Sequence, residues 1–265
     1  MNALRPPGAG ERIPLRISVL RGFELRAGDA VLVVPPYVER VLAFLAVRER
    51  PQLRSTVATT LWLDSTDDRA AANLRTALWK ARQTSKNCVT VTGNYLALGP
   101  LVEVDVAKLL RQARRLVGSS NELGESDTDT HTLLGDLLPG WDEEWIMFER
   151  ERVRQLRVHA LEALCQRLSS CGRHAEAIDA GLAAVAAEPL RESAQRALIQ
   201  AHLAEGNVCE AKRQYQLYSR LLHDEMGLQP TYALRALVGV VTADLRQRDR
   251  QDSAPLWHGQ AGPVG

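Results

Sequence analysis

The chain has 265 residues, with 33 Lys+Arg, 32 Asp+Glu, 45% hydrophobic residues and a formal charge of +1. With a quarter of its residues charged and nearly half apolar, a wholly disordered chain is excluded, and the length suits two compact domains or one domain with a helical extension. The charge is unevenly spread: residues 1–115 hold 18 Lys/Arg against 10 Asp/Glu, and the remainder 15 against 22. One half is therefore suited to meet a polyanion and the other is not.

Residues 1–13 read as a flexible N-terminus without the continuous apolar core of a signal peptide. Leu15, Ile17 and Val19 alternate with Arg16 and Ser18, the period of a half-buried strand. Phe23 and Leu25 lead into the turn Ala27-Gly28-Asp29, and Val31–Val34 follow as a further strand. Pro35-Pro36 closes this region, because proline donates no ladder hydrogen bond and fits the first turn of a helix. Val38, Val41, Leu42 and Leu45 then mark one apolar helix face. Ser55 is the expected N-cap of a short second helix that buries Val57, Ala58, Leu61 and Trp62. A polar, acidic loop of Leu63, Asp64, Ser65, Thr66, Asp67 and Asp68 precedes a third helix over 69–86, with Ala71, Leu74, Leu78 and Ala81 on its apolar side. Val89 and Val91, the turn Gly93-Asn94, and Leu96 and Leu98 predict a hairpin.

After Pro100 the pattern is helical almost throughout. Leu109–Leu116 predicts one helix, residues 118–132 a polar loop, and 142–248 a run of amphipathic helices. Leu164, Gly172, Glu176 and Ala177 recur 34 positions later as Leu198, Gly206, Glu210 and Ala211. That period, with glycine between paired helices, is the tetratricopeptide signature, although Leu161 and Cys165 replace its usual Trp and Gly. Tyr232–Leu245 predicts a last helix covering the stack, and 249–265 a disordered tail. The fold class is mainly α with small β elements: a winged helix-turn-helix at 14–100, then a tetratricopeptide-like all-α domain at 101–248.

No phosphate-binding glycine loop, nucleophile elbow or zinc-protease pattern occurs, and no enzyme is visible. The four cysteines form no CxxC pair and the six histidines no ligand spacing, so neither a metal nor a cofactor is expected. The cysteines read as buried reduced thiols and His202 as a packed ring. Arg150-Glu151-Arg152 reads as a solvated, ion-paired helix face. No run of about 18 apolar residues suggests a membrane partner, and a cytoplasmic location is expected.

The third helix carries the chemistry. At 100° per residue, Arg69, Asn73, Thr76, Lys80 and Gln83 oppose its apolar face, and Arg75, Trp79, Arg82 and Lys86 form a flanking stripe. No acid lies between Arg69 and Lys86. Arg or Lys can read guanine and Asn or Gln adenine in the major groove, while flanking cations hold phosphates. A merely solubilising basic face is the alternative, and the order of strands, helix, helix, loop, basic helix and hairpin favours the winged helix-turn-helix.

At this point the sequence resembles a known family. Residues 15–116 resemble an OmpR-type winged helix. Leu138-Pro139-Gly140-Trp141, Trp145, the segment 149–156, Glu188-Pro189-Leu190-Arg191-Glu192 and Glu205-Gly206-Asn207 resemble the bacterial transcriptional activation domain. Together they are similar to a short Streptomyces antibiotic regulatory protein, and the segment 72–80 is similar to that family's recognition helix. The resemblance implies an activator of a secondary-metabolite gene cluster that binds direct repeats near the −35 region and recruits RNA polymerase. Its expected partners are double-stranded promoter DNA, the polymerase holoenzyme through its σ factor, and a second copy of itself on the repeats. Lys80, Thr76 and Asn73 are expected to face bases, with the other polar residues of the helix on the backbone. The wing tip, Thr92 and Asn94, is expected in the minor groove, without the arginine often found there. The loop 63–68 is expected to touch polymerase. Larger relatives add an ATPase domain, and the absence of a Walker motif here implies no ATP control in cis. The alternative function is a protein-interaction scaffold whose winged helix no longer reads DNA.

Overall fold

The structure is a computed structural model describing residues 14–118, 124 and 127–239. The expected flexible N-terminus, the disordered tail and the end of the last helix lie outside the described residues. The chain divides into two compact units, residues 1–160 and 161–265.

The first unit opens with β1 (Leu15–Ser18), β2 (Glu24–Ala27) and β3 (Ala30–Val31). β1 and β2 are antiparallel with Leu15 opposite Ala27 and Ile17 opposite Leu25, so the apolar residues share the buried face. α1 (Pro36–Val47) begins at the expected proline. It is buried on more than one face: every residue from Val41 to Val47 is inside, because α1 contacts α2 (Arg54–Leu61), α3 (Asp67–Thr84) and α4 (Asp105–Val117). A single apolar stripe therefore understates it.

Two short strands depart from the sequence expectation. β4 (Gln52–Leu53) pairs with the hairpin of β5 (Val89–Thr92) and β6 (Tyr95–Leu98), forming a three-stranded sheet in the order β4-β6-β5. β7 (Val102–Val104) lies parallel to β1, completing a four-stranded sheet in the order β3-β2-β1-β7. Asp105 fastens that junction by accepting hydrogen bonds from the backbone N–H groups of Val19 (3.0 Å), Leu20 (3.0 Å) and Val106 (2.7 Å). Burial pushes its carboxyl above the ordinary carboxylate range, while the backbone donors pull the other way. Gly99 is required where it is, since a Cβ there would sit 1.8 Å from the Asn87 carbonyl oxygen.

Ser55 does not cap α2. Leu53 occupies the cap with no side-chain hydrogen bond, and Ser55 lies inside the first turn, where its carbonyl accepts from the Thr59 hydroxyl at 3.0 Å. α4 starts four residues before the expected Leu109 and packs Val106, Leu109, Leu110, Ala113 and Leu116 inward. Within the stretch read as a loop, Thr130–Leu133 form a 3-10 turn, and buried Gln112 of α4 donates to the carbonyls of Asp127 and Asp129, both at 3.0 Å.

α5 (Glu144–Ser170) begins within this unit. Its early charged residues are not simply solvated. Arg150 donates to the carbonyl oxygens of Leu137 (2.9 Å), Leu138 (2.7 Å) and Trp141 (2.9 Å), and buried Glu149 pairs with Arg48 at 2.6 Å and Arg152 at 2.9 Å. Only Glu151–Arg154, at 2.7 Å, is the exposed pair the sequence suggested.

The second unit contains the rest of α5, then α6 (His174–Ala187), α7 (Glu192–Glu205) and α8 (Val208–Met226), with residues 232–239 also helical. Both halves of the repeat occupy equivalent places. Leu164 and Leu198 are fully buried, Gly172 and Gly206 take φ of +74° and +88° at the interhelical turns, and Ala177 and Ala211 are fully buried in the helices that follow. Gly181 lets α6 approach α7, since a Cβ there would sit 3.2 Å from the Leu198 Cα and 3.2 Å from the Cys165 Sγ. Cys165 is buried and desolvation raises its thiol pKa to about 12, leaving it a packing residue. Cys171 and Cys209, by contrast, are exposed. Leu234 and Val238 join Ile199, Ala211, Tyr218 and Leu222 in one apolar cluster, which places a last helix on the stack.

Candidate nucleic-acid interface

α3 begins at Asp67 and ends at Thr84, about one half-turn earlier at each end than the sequence suggested. Two carboxylates, Asp67 and Asp68, thereby enter its first turn, where they favour the positive end of the helix dipole. The loop before it shortens to about 62–66. At the other end Ser85 is extended, so Lys86 sits beyond the helix rather than on its flank. The buried face is Ala70, Leu74, Ala77, Leu78 and Ala81; Ala71 is only half-buried, because α3 packs against both α1 and α2.

The opposite side is open. Arg69, Arg75, Thr76, Arg82, Gln83 and Lys86 are exposed, Asn73 and Lys80 are half-buried, and Trp79 stands 61% exposed. Among the described residues none of these five cations makes an ion pair. Thr76 returns its hydroxyl to the Ala72 carbonyl at 3.1 Å, a bond it can exchange for an outside acceptor.

The wing hairpin turns at Gly93, φ +57°, while Asn94 keeps an ordinary negative φ, as in a type II′ turn. Thr92 and Asn94 are exposed. The Asn94 carbonyl accepts from the Arg54 N–H at 2.8 Å, so the wing tip is tied to the first residue of α2. Asn73 and Thr76 share a cavity with Tyr37 and Trp62. Arg75 lies with Arg54, Ser55, Thr59, Asp67 and Asp68 along the groove between α2 and α3. Sequence reasoning alone does not single out Tyr37 or Arg54. Arg54 does carry a signal, as a lone cation directly before a helix start in a basic half.

Leu63, 67% exposed, and Asp64 and Thr66, also exposed, form the rim of the loop. Leu63, Asp64 and Ser65 share a cavity with Arg40, Trp62, Glu143, Glu144 and Trp145. Among the described residues there is no group of three or more metal-binding side chains. No helix among them is long and apolar enough to cross a membrane.

Residues 131–241 match the bacterial transcriptional activator domain. Over 223 residues, 80% of the chain, the sequence is 29% identical to the regulatory protein AfsR of Streptomyces coelicolor, and over 240 residues it is 26% identical to the AfsR of Streptomyces griseus. These matches make the chain similar to regulators of the AfsR type. It spans 22% and 24% of the lengths of these two AfsR proteins. Mycobacterium tuberculosis EmbR, solved in complex with a low-affinity phosphopeptide, superposes with a TM-score of 0.63 at 21% identity, covering 88% of this chain and 65% of that one. That likeness establishes the fold: a β-containing winged region followed by an all-α domain. The matched activator domain runs from the 3-10 turn through α5–α8 into the last helix.

Proposed function

We propose that this regulator is an activator that binds double-stranded promoter DNA through α3 and recruits RNA polymerase holoenzyme to a secondary-metabolite gene cluster. The observation that carries the reading is that, among the described residues, Arg69, Arg75, Lys80, Arg82 and Lys86 make no ion pair while most of the other cations do. A guanidinium or ammonium left without a carboxylate is ready to displace the counterions condensed on a phosphate backbone. Lys80, Thr76 and Asn73 face base edges. Arg69, Arg75, Arg82, Gln83 and Lys86 hold phosphates, and Trp79 lays its exposed ring against the sugar backbone. Thr92 and Asn94 bring the wing tip toward the minor groove.

In this reading a pair of copies sits on direct repeats near the −35 region. Two tandem sites raise the effective concentration of the second module, which offsets a modest single-site affinity. Leu63-Asp64-Ser65-Thr66, with Asp67 and Asp68 behind it, presents an acidic edge suited to a basic surface of the σ factor.

Footprinting the full chain on its neighbouring promoters, followed by transcription with purified holoenzyme, tests the reading. Protection of two head-to-tail repeats with stimulated transcription is expected. A chain that protects no promoter and stimulates no transcript would leave only the scaffold alternative.

A further inference from the structure

Arg40 of α1 makes a fork into two segments far apart in sequence. Its Nε donates to Glu143 Oε1 at 2.7 Å, and its Nη2 donates to Glu143 Oε2 at 3.0 Å and to the Leu61 carbonyl at 2.6 Å. Glu143 Oε2 also accepts from Trp145 Nε1 at 2.6 Å. The Trp145 ring in turn meets Phe44 edge-on, 5.1 Å between centroids, so the carboxylate is held from the core side. On the other side the Arg40 guanidinium lies 5.9 Å from the centre of the Trp62 ring.

Leu61 is the last residue of α2, and its carbonyl is among those a helix end leaves without an internal partner. Beyond it, the loop's own hydrogen bonds are local: Trp62 N–H to Ala58 and Ser65 N–H to Trp62. The Arg40 fork is thus the long-range tie at the base of the loop among the described residues.

The geometry points to Glu143 as a positioning residue for activation: it fixes Arg40, which fixes the α2 terminus and the orientation of residues 62–66. This rests on the assignment of that loop to polymerase. Lysine at 40 would keep the charge and lose the planar fork, so it cannot hold Leu61 and both carboxylate oxygens together. Glutamine at 143 would keep the shape and lose the charge-assisted pair.

The test uses the full chain with Glu143→Gln and, independently, Arg40→Lys. Amide hydrogen exchange across 61–66, promoter affinity and transcription with holoenzyme are measured on each. Exchange in the loop should rise about tenfold while α3 keeps its protection. Promoter affinity should stay within about twofold and stimulated transcription should fall several-fold. Unchanged loop exchange in both folded variants overturns the positioning role. A loosened loop with full transcription overturns its link to activation and puts the fault in the polymerase assignment, in which case Asp64→Ala is silent too.

Discussion

The arginines of the first unit fall into two populations. Those facing α5 or its approach are committed: Arg40 to Glu143, Arg48 to Glu149, Arg150 to three carbonyls, and Arg157 to Asp136 and the Gly135 carbonyl. Among the described residues, Arg69, Arg75 and Arg82 of α3 make no ion pair. Residue type is the same in both places, so the difference lies in what surrounds the guanidinium. Committed arginines have backbone carbonyls or carboxylates within reach and lose less on ordering, since their partners are already fixed. The α3 cations are exposed or half-buried and, free of ion pairs, keep their donor capacity for an outside acceptor.

The sharpest way to break this contrast is to remove one arginine from each population. Arg150→Ala should cost about 2–3 kcal/mol of folding stability, because three carbonyls lose a charged donor; urea denaturation followed by circular dichroism measures it. A loss below about 0.5 kcal/mol would place Arg150 among ordinary surface residues.

Lys80→Ala should leave the melting curve in place and cost about 1–3 kcal/mol of specific DNA binding, relaxing preference at one base pair. Fluorescence anisotropy on an operator and its single-pair variants reads both quantities. Arg82→Ala should weaken all sequences alike and flatten the logarithmic salt dependence by about one unit. Equal behaviour of the two variants would remove the distinction between a base reader and a phosphate anchor.

The smallest effect concerns Glu49 and Arg114, whose 2.5 Å pair is well exposed on both sides. The hydrogen bond from Arg114 holds the Glu49 carboxyl below the ordinary range. A carboxylate whose folded-state pKa is lowered contributes stability above its unfolded value of 4.5 and loses it as pH falls through the folded value. Solvent screening limits the contribution to less than about 1 kcal/mol. Glu49→Gln should therefore reduce stability slightly at neutral pH and narrow the gap to wild type in acid, as melting curves across that range would record.

Local patterns in the sequence located most helices and the hairpin turn, because each depends on spacing within about two turns, and a fixed offset of 34 residues located the repeat. β4 and β7 escaped because strands of two and three residues carry too little alternation to register. β7 also owes its existence to β1, about 85 positions earlier, a pairing no local window contains. Ser55 suits a cap by residue type, yet the pairing of β4 with β6 brings the helix start forward to Arg54 and leaves the serine inside. The cations of α3 are legible since helical geometry alone sets them apart from Leu74 and Leu78. The Arg40 fork is not, because Arg40 and Glu143 lie 103 positions apart and neither stands out in its own segment. Arg150 eludes a local reading for the same reason: the carbonyls it serves are exposed by the turns around Leu138, whose positive φ only the tertiary structure imposes.

Whether the unpartnered cations of α3 meet a phosphate backbone is tested most directly by promoter affinity across a salt series, for the wild type and for the combined Arg69→Ala, Arg75→Ala, Arg82→Ala variant. An unchanged fold is expected, with a logarithmic salt slope reduced by about 2.7, close to 0.9 for each phosphate no longer neutralised. Identical affinity and slope for the two proteins would contradict the assignment of α3 to DNA.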